Sequence, residues 1–148
     1  MNLTVNFTTR WADFDPNRHM RHSAYNDYAA EVRLRYFKEF NVTMADFAKD
    51  NVGPILFEEN TSFRREIHLG ENITANLQLT GLSENGERWK IRHQIFNEAG
   101  KLSAEINVYG AWLDLTKRKL TSPPEKFKFL FTELEKTEDF KIIEIRSK

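Results

Sequence analysis

Between Asp13 and His22 the chain places two carboxylates (Asp13 and Asp15), one amide (Asn17) and two of its four histidines (His19 and His22) within ten positions. A carboxylate can take a proton from water or attack an acyl carbon, and a neighbouring amide or imidazole can orient the reactants. A helical pattern starts just after Ser23. The first N–H groups of a helix lack intrahelical partners and carry the positive end of its dipole, which suits an oxygen gaining negative charge. Asp, Asn and His also build turns, and Asp15-Pro16-Asn17 is turn chemistry. Residue types alone leave both readings open.

The elements that must hold this segment follow from periodicity. Residues 3–11 alternate, with Leu3, Val5, Phe7, Thr9 and Trp11 on one face, which predicts a half-buried strand. Ser23 is the expected N-cap of a helix over 24–40 that carries Tyr25, Tyr28, Ala29, Val32, Tyr36, Phe37 and Phe40 at helical spacing. Ala30 and Leu34 widen the apolar stripe, so this helix is expected to be wrapped, its aromatics lying on a sheet. A short helix is expected over 43–49, capped by Thr43. After Gly53-Pro54 the period returns to two, predicting strands at 55–68, 72–83, 87–97 and 102–115. Asn85-Gly86 is the strongest hairpin signal among their turns. Ser122-Pro123-Pro124-Glu125 opens a last helix bearing Phe127, Leu130, Phe131 and Leu134, and residues 140–145 alternate weakly, as a strand or an ordered extension.

Length and composition bound the rest. At 148 residues, 40% of them hydrophobic, the chain reads as one domain, 1–148, with ample core. Lys+Arg and Asp+Glu both number 22, which argues against nucleic acid as a partner. With no cysteine there are no disulfides, Cys-ligated metals or thiol nucleophiles. No secretory signal and no apolar run of membrane-spanning length is present, so a soluble cytoplasmic protein without a membrane partner is expected. His68 and His93 fall on expected strands without a partner pattern, and no His/Asp/Glu spacing resembles a metal site, so no metal is expected.

Residues 11–25 resemble the signature of hotdog-fold thioesterases, the 4-hydroxybenzoyl-CoA thioesterase-like acyl-CoA thioester hydrolases. Those carry D-x-D, then a His, then a Tyr that opens a long helix; here Asp13-Phe14-Asp15, His19-Met20 and Tyr25 follow that spacing. The loop is also similar to the D-x-N-x-H of plant acyl-carrier-protein thioesterases, matched by Asp15, Asn17 and His19. Two departures stand out: many relatives have Gly where Arg18 stands, and a frequent Asn-Asn pair is replaced by Arg21-His22.

The resemblance implies an α+β hotdog fold, a long central helix wrapped by an antiparallel sheet, and hydrolysis of an acyl-CoA or acyl-ACP thioester. Coenzyme A is then part of the substrate, and no cofactor is needed. Asp15 becomes the base or nucleophile, with Asn17, His19 and His22 orienting water or thioester. Backbone N–H groups near residues 22–24 hold the oxyanion. Asp13 reads as structural, and Glu31, Glu58 and Glu59 as reserve carboxylates. Ser23, Tyr25, Glu58, Phe63, Arg64 and Arg65 form the expected substrate-binding set, the arginines facing phosphates of the nucleotide. Other readings are an acyl-thioester-binding module without hydrolysis and a hydratase or dehydratase on the same fold. A sheet with exposed edges, together with the resemblance, implies a homodimer or homotetramer with a shared site.

Overall fold

The computed structural model describes residues 3–145. Strand β1 (Leu3–Thr8) leads through a 3₁₀ turn at Trp11–Asp13 and a loop to helix α1 (Ala24–Glu39) and the short helix α2 (Met44–Lys49). Four long strands follow: β2 (Val52–Phe63), β3 (Asn72–Leu82), β4 (Arg88–Phe96) and β5 (Leu102–Asp114). The short β6 (Lys119–Leu120), helix α3 (Glu125–Thr132) and β7 (Lys136–Ile142) complete the order.

One sheet runs β1–β3–β4–β5–β2, antiparallel throughout. β6 extends β5, while β7 pairs in parallel with β3 beyond the stretch that β1 occupies. Register shifts at Leu56/Glu58 in β2 and Leu79/Gly81 in β3 mark bulges, which bend and twist a strand. The sheet curls around α1, which packs on β3 and β5, giving the hotdog arrangement. Tyr25, Tyr28, Ala29, Val32 and Tyr36 bury the helix's inner stripe against alternating sheet residues such as Leu77, Ile91, Ile106 and Val108. None of the helices among the described residues is long and apolar enough to cross a membrane.

Aromatic rings close the remaining end. Trp89 stacks on Phe131 at 5.0 Å between centroids, and Trp112 on Phe127 at 5.6 Å, so α3 seats two of its rings on the tryptophans of the sheet. Phe47 of α2 meets both Trp112 and Phe127 edge-on. A Cβ at Gly110 would lie 2.3 Å from the Ile55 carbonyl and 2.4 Å from the Trp89 ring, so only glycine allows β2 and Trp89 to close over β5.

Several expectations need correction. The first strand ends at Thr8, and Trp11 is 83% exposed because the chain turns into the 3₁₀ segment there. Ser23 does not cap α1: its φ and ψ are already helical, and its hydroxyl accepts from Arg21 Nη1. The expected strand 55–68 begins earlier, through Gly53-Pro54, and ends at Phe63, which leaves His68 in a loop. The last helix is entered from Pro124 rather than Ser122. The tail strand starts at Lys136, ahead of the expected 140–145.

Gly110→Ala is expected to cost about 3 kcal/mol by overpacking, which lowers Tm by roughly 6–12 °C for a chain of this size. Denaturant and thermal unfolding of the two proteins measure it. Equal stability would mean that the Trp89 ring does not sit over this backbone.

Candidate active site

The loop before α1 is built around the buried carboxylate of Asp13, whose side chain has 0% exposure. Arg10 reaches it with Nη2 at 2.7 Å and Nε at 3.1 Å, Tyr28 donates its hydroxyl at 2.5 Å, and Arg21 Nη2 lies at 3.4 Å. Burial alone would raise the Asp13 pKa, but hydrogen bonds from Arg10 and Tyr28 and the charges of Arg10 and Arg21 outweigh it and hold the carboxyl below its ordinary value. The Asp13 carbonyl also accepts the Arg21 N–H at 2.8 Å, so one residue ties both ends of the loop to the helix.

Inside that frame the chain makes a tight reversal. Phe14 and Met20 pair as an antiparallel bridge, and Asp15 N–H donates to the His19 carbonyl at 2.9 Å. The Asp15 carboxylate accepts through Oδ1 from the N–H groups of Asn17 (2.9 Å) and His19 (3.2 Å). Among the described residues its second oxygen, Oδ2, has no partner, and the side chain is half-buried. Arg18 takes φ +66°, a conformation natural to glycine, where the resembling family commonly has Gly.

The structure thus brings Asp15, Asn17 and His19 into one turn. At the mouth of α1, the backbone N–H groups of His22 and Ser23 meet no acceptor among the described residues, while Ala24 N–H bonds the Arg21 carbonyl. The Asp15 loop therefore offers a carboxylate oxygen, and the helix start offers preorganised donors. Tyr25 is buried, and its ring meets the exposed Phe63 edge-on at 5.1 Å. Arg64 and Arg65 are exposed at the end of β2, both backbone N–H groups donating to the Ser103 carbonyl. Glu58 is not brought to the loop within one chain. It lines a polar hollow on the outer sheet face with Asn60, Lys90 and Arg92, and it is Glu59 that faces α1.

Two features escaped sequence reasoning. A second loop, residues 64–71, is zipped to the first: Met20 N–H donates to the Ile67 carbonyl (2.8 Å) and Leu69 N–H to the Arg18 carbonyl (2.9 Å). His19 Nε2 consequently lies 3.1 Å from Glu66 Oε2. The second feature is an apolar cavity of about 210 Å³ between α1 and the sheet, lined by Leu34, Phe37, Leu56, Trp89 and Phe131, with one cation, Arg33. Arg33 Nη1 sits 3.0 Å from Nε2 of the fully buried His93, and its Nη2 is 3.8 Å from Glu59. His93 Nδ1 is 2.8 Å from the Asn76 carbonyl. One tautomer satisfies both contacts: Nδ1–H donates to Asn76, and the Nε2 lone pair accepts from Arg33. Burial and, second, the Arg33 charge push His93 down to about 3. No residue spacing signals this pair, which joins the helix to β4.

The model of the thioesterase-like superfamily matches residues 9–131. Among solved structures, a Staphylococcus aureus protein in complex with CoA is 20% identical, covering 93% of this chain and 87% of that one, with a TM-score of 0.83. A 1,4-dihydroxy-2-naphthoyl-CoA thioesterase from Synechocystis is 16% identical, with 90% and 98% covered and a TM-score of 0.81. A DHNA-CoA thioesterase from Staphylococcus aureus is 19% identical, with 82% and 80% covered and a TM-score of 0.73. No curated protein matches the chain.

The His93 shift carries a sign. Folded His93 resists protonation until about pH 3, whereas in the unfolded chain a histidine titrates near 6.5, so the unfolded state binds the extra proton between those values. Stability is complete above about pH 6.5 and falls toward pH 3, by up to roughly 1.4 kcal/mol per pH unit from this group. His93→Gln is expected to flatten that slope in unfolding curves taken at a series of pH values. An unchanged slope would contradict a neutral buried imidazole.

Proposed function

The chain belongs to the thioesterase-like superfamily, and from that premise we propose that it hydrolyses an acyl-CoA thioester to the free acid and thiol. The observation that carries the reading is Asp15: its loop fixes Oδ1 with two backbone N–H groups and leaves Oδ2 uncommitted, while the N–H groups of His22 and Ser23 at the start of α1 meet no acceptor among the described residues. A relative of the same fold in complex with CoA, and two that act on a CoA thioester, support CoA as the donor over a carrier protein.

In this reading Asp15 either takes a proton from water or attacks the thioester carbon itself. In the first case the water oxygen bonds to the carbonyl carbon and the C=O electrons move onto oxygen. The His22 and Ser23 N–H groups stabilise that oxyanion, at the positive end of α1. Collapse expels the thiolate, which takes the proton and leaves as thiol. His19 and Asn17 orient the water and thioester, Tyr25 and Phe63 flank the acyl group, and Arg64 and Arg65 meet the nucleotide phosphates. No cofactor takes part, since coenzyme A is carried in by the substrate.

The reading includes a homodimer. β2 is one edge of the main sheet and exposes Leu56, Phe57 and Phe63, apolar side chains that soluble proteins tend to cover. Pairing β2 with its copy covers them and brings groups such as Glu58 toward the partner's loop.

With a panel of acyl-CoA esters and a thiol reporter, Asp15→Ala is expected to reduce kcat by about 10²–10⁴. Equal rates in wild type and variant overturn the hydrolytic reading. Calorimetric binding of an ester without thiol release marks a binding module, and a gain or loss of conjugated absorbance with an enoyl ester marks a hydratase. Light scattering over a dilution series is expected to show a dimer whose activity falls on dissociation; a fully active monomer excludes the shared site.

A further inference from the structure

The zipped loops carry a donor set that hydrolysis does not use in full. His19, Glu66 and His68 each present one ligand atom, all within 4.8 Å of one another. His19 and His68 are paired across the bridge between the loops, with ring centroids 5.0 Å apart and planes at 63°. Glu66 Oε2 approaches His19 Nε2 at 3.1 Å.

The backbone beneath these side chains is fixed. Besides the two bonds between the loops, the Glu71 carboxylate accepts the His68 N–H at 2.6 Å, and Glu71 N–H donates to the His68 carbonyl at 3.1 Å. Met20 and Ile67, at 5% and 0% exposure, anchor the two segments in the core beside the ligands. Only side-chain torsions are left to adjust. A tetrahedral ion with bonds of about 2.0–2.2 Å holds its ligand atoms roughly 3.3–3.5 Å apart, a contraction that rotation of exposed side chains supplies.

We propose that His19, Glu66 and His68 bind a divalent transition-metal ion of the zinc class, as a site separate from the Asp15 carboxylate and independent of whether the protein hydrolyses thioesters. Two imidazoles and one carboxylate are a set that zinc takes with a position left for water. The same set favours zinc, cobalt, nickel or copper over magnesium and calcium, which prefer oxygen ligands alone. Glu66 supplies the carboxylate of the set. Among the described residues its ion-pair partner is His19, so no arginine or lysine competes for it.

The test uses the full chain, dialysed free of metal, with Zn²⁺ followed by calorimetry and Co²⁺ by its visible absorption. Wild type is expected to bind one Zn²⁺ per chain, unaffected by excess Mg²⁺, and to give the intense Co²⁺ bands of a low-coordinate site. Even outer partners of a metal site carry about 10–100-fold of affinity, so His68→Ala and Glu66→Gln, each losing a ligand, are expected to weaken Zn²⁺ binding at least about tenfold. Circular dichroism checks that both surface variants fold. His22→Ala, which removes a nearby histidine outside the set, is expected to leave the affinity unchanged. No Zn²⁺ uptake by wild type, or equal affinity in His68→Ala and Glu66→Gln, overturns the site, as does a loss in His22→Ala of the same size.

Discussion

A carboxylate shut away from water sets the shape of the functional end of this protein. Burying the Asp13 charge is unfavourable unless every lone pair is met, and two guanidiniums and a tyrosine hydroxyl meet them. Those partners come from the end of β1's extension, from the loop itself and from the first turns of α1. Satisfying one group therefore docks three stretches of chain together. The neighbouring Asp15 owes its setting to this arrangement: held in a reversal whose backbone is already bonded, it keeps one oxygen engaged and the other uncommitted. Arg18 bears the strain of that reversal at φ +66°, a conformation costing on the order of 1–2 kcal/mol for a residue with a Cβ.

A second buried polar group plays the complementary part inside the sheet. Arg33 and His93 join α1 to β4 across apolar surroundings, and their contact works because the imidazole is neutral. Burial also pulls the Arg33 pKa down, with Glu59 opposing it. The cavity beside them is walled in part by Pro54 and Leu56 of β2, an edge strand of the sheet.

Strands β3, β4 and β5 and helix α1 were legible because each buries one face, which imposes a period of two or 3.6 on the residues themselves. The start of β2 was hidden behind Gly53-Pro54, which reads as a break. At an edge a proline is tolerated, since the side lacking its N–H faces no neighbour, and the strand runs straight through. Its end was overrun for the opposite reason: Ile67-His68 continues the alternation, yet those residues leave the strand to bridge the loop at 18–20. Of the site, the Asp15–Asn17–His19 turn was visible because its members are close in sequence. Ser23 was misread as a cap because a serine before an apolar run fits that role, whereas here its backbone has already joined the helical turn. Glu66, His68 and the Arg33–His93 contact were invisible, since only tertiary pairing between distant segments brings them together.

The seating of Phe127 and Phe131 on Trp112 and Trp89 bears on how the protein is made. Synthesis delivers the wrapped helix and the long strands before the rings that cover both tryptophans. Until then a curled sheet offers an aromatic floor to the solvent, and β1 and β2 wait for partners far downstream. Pairings of such long sequence separation form slowly, and exposed apolar surface in the interval invites aggregation. Covering that floor thus waits on one short helix that follows all five strands of the main sheet.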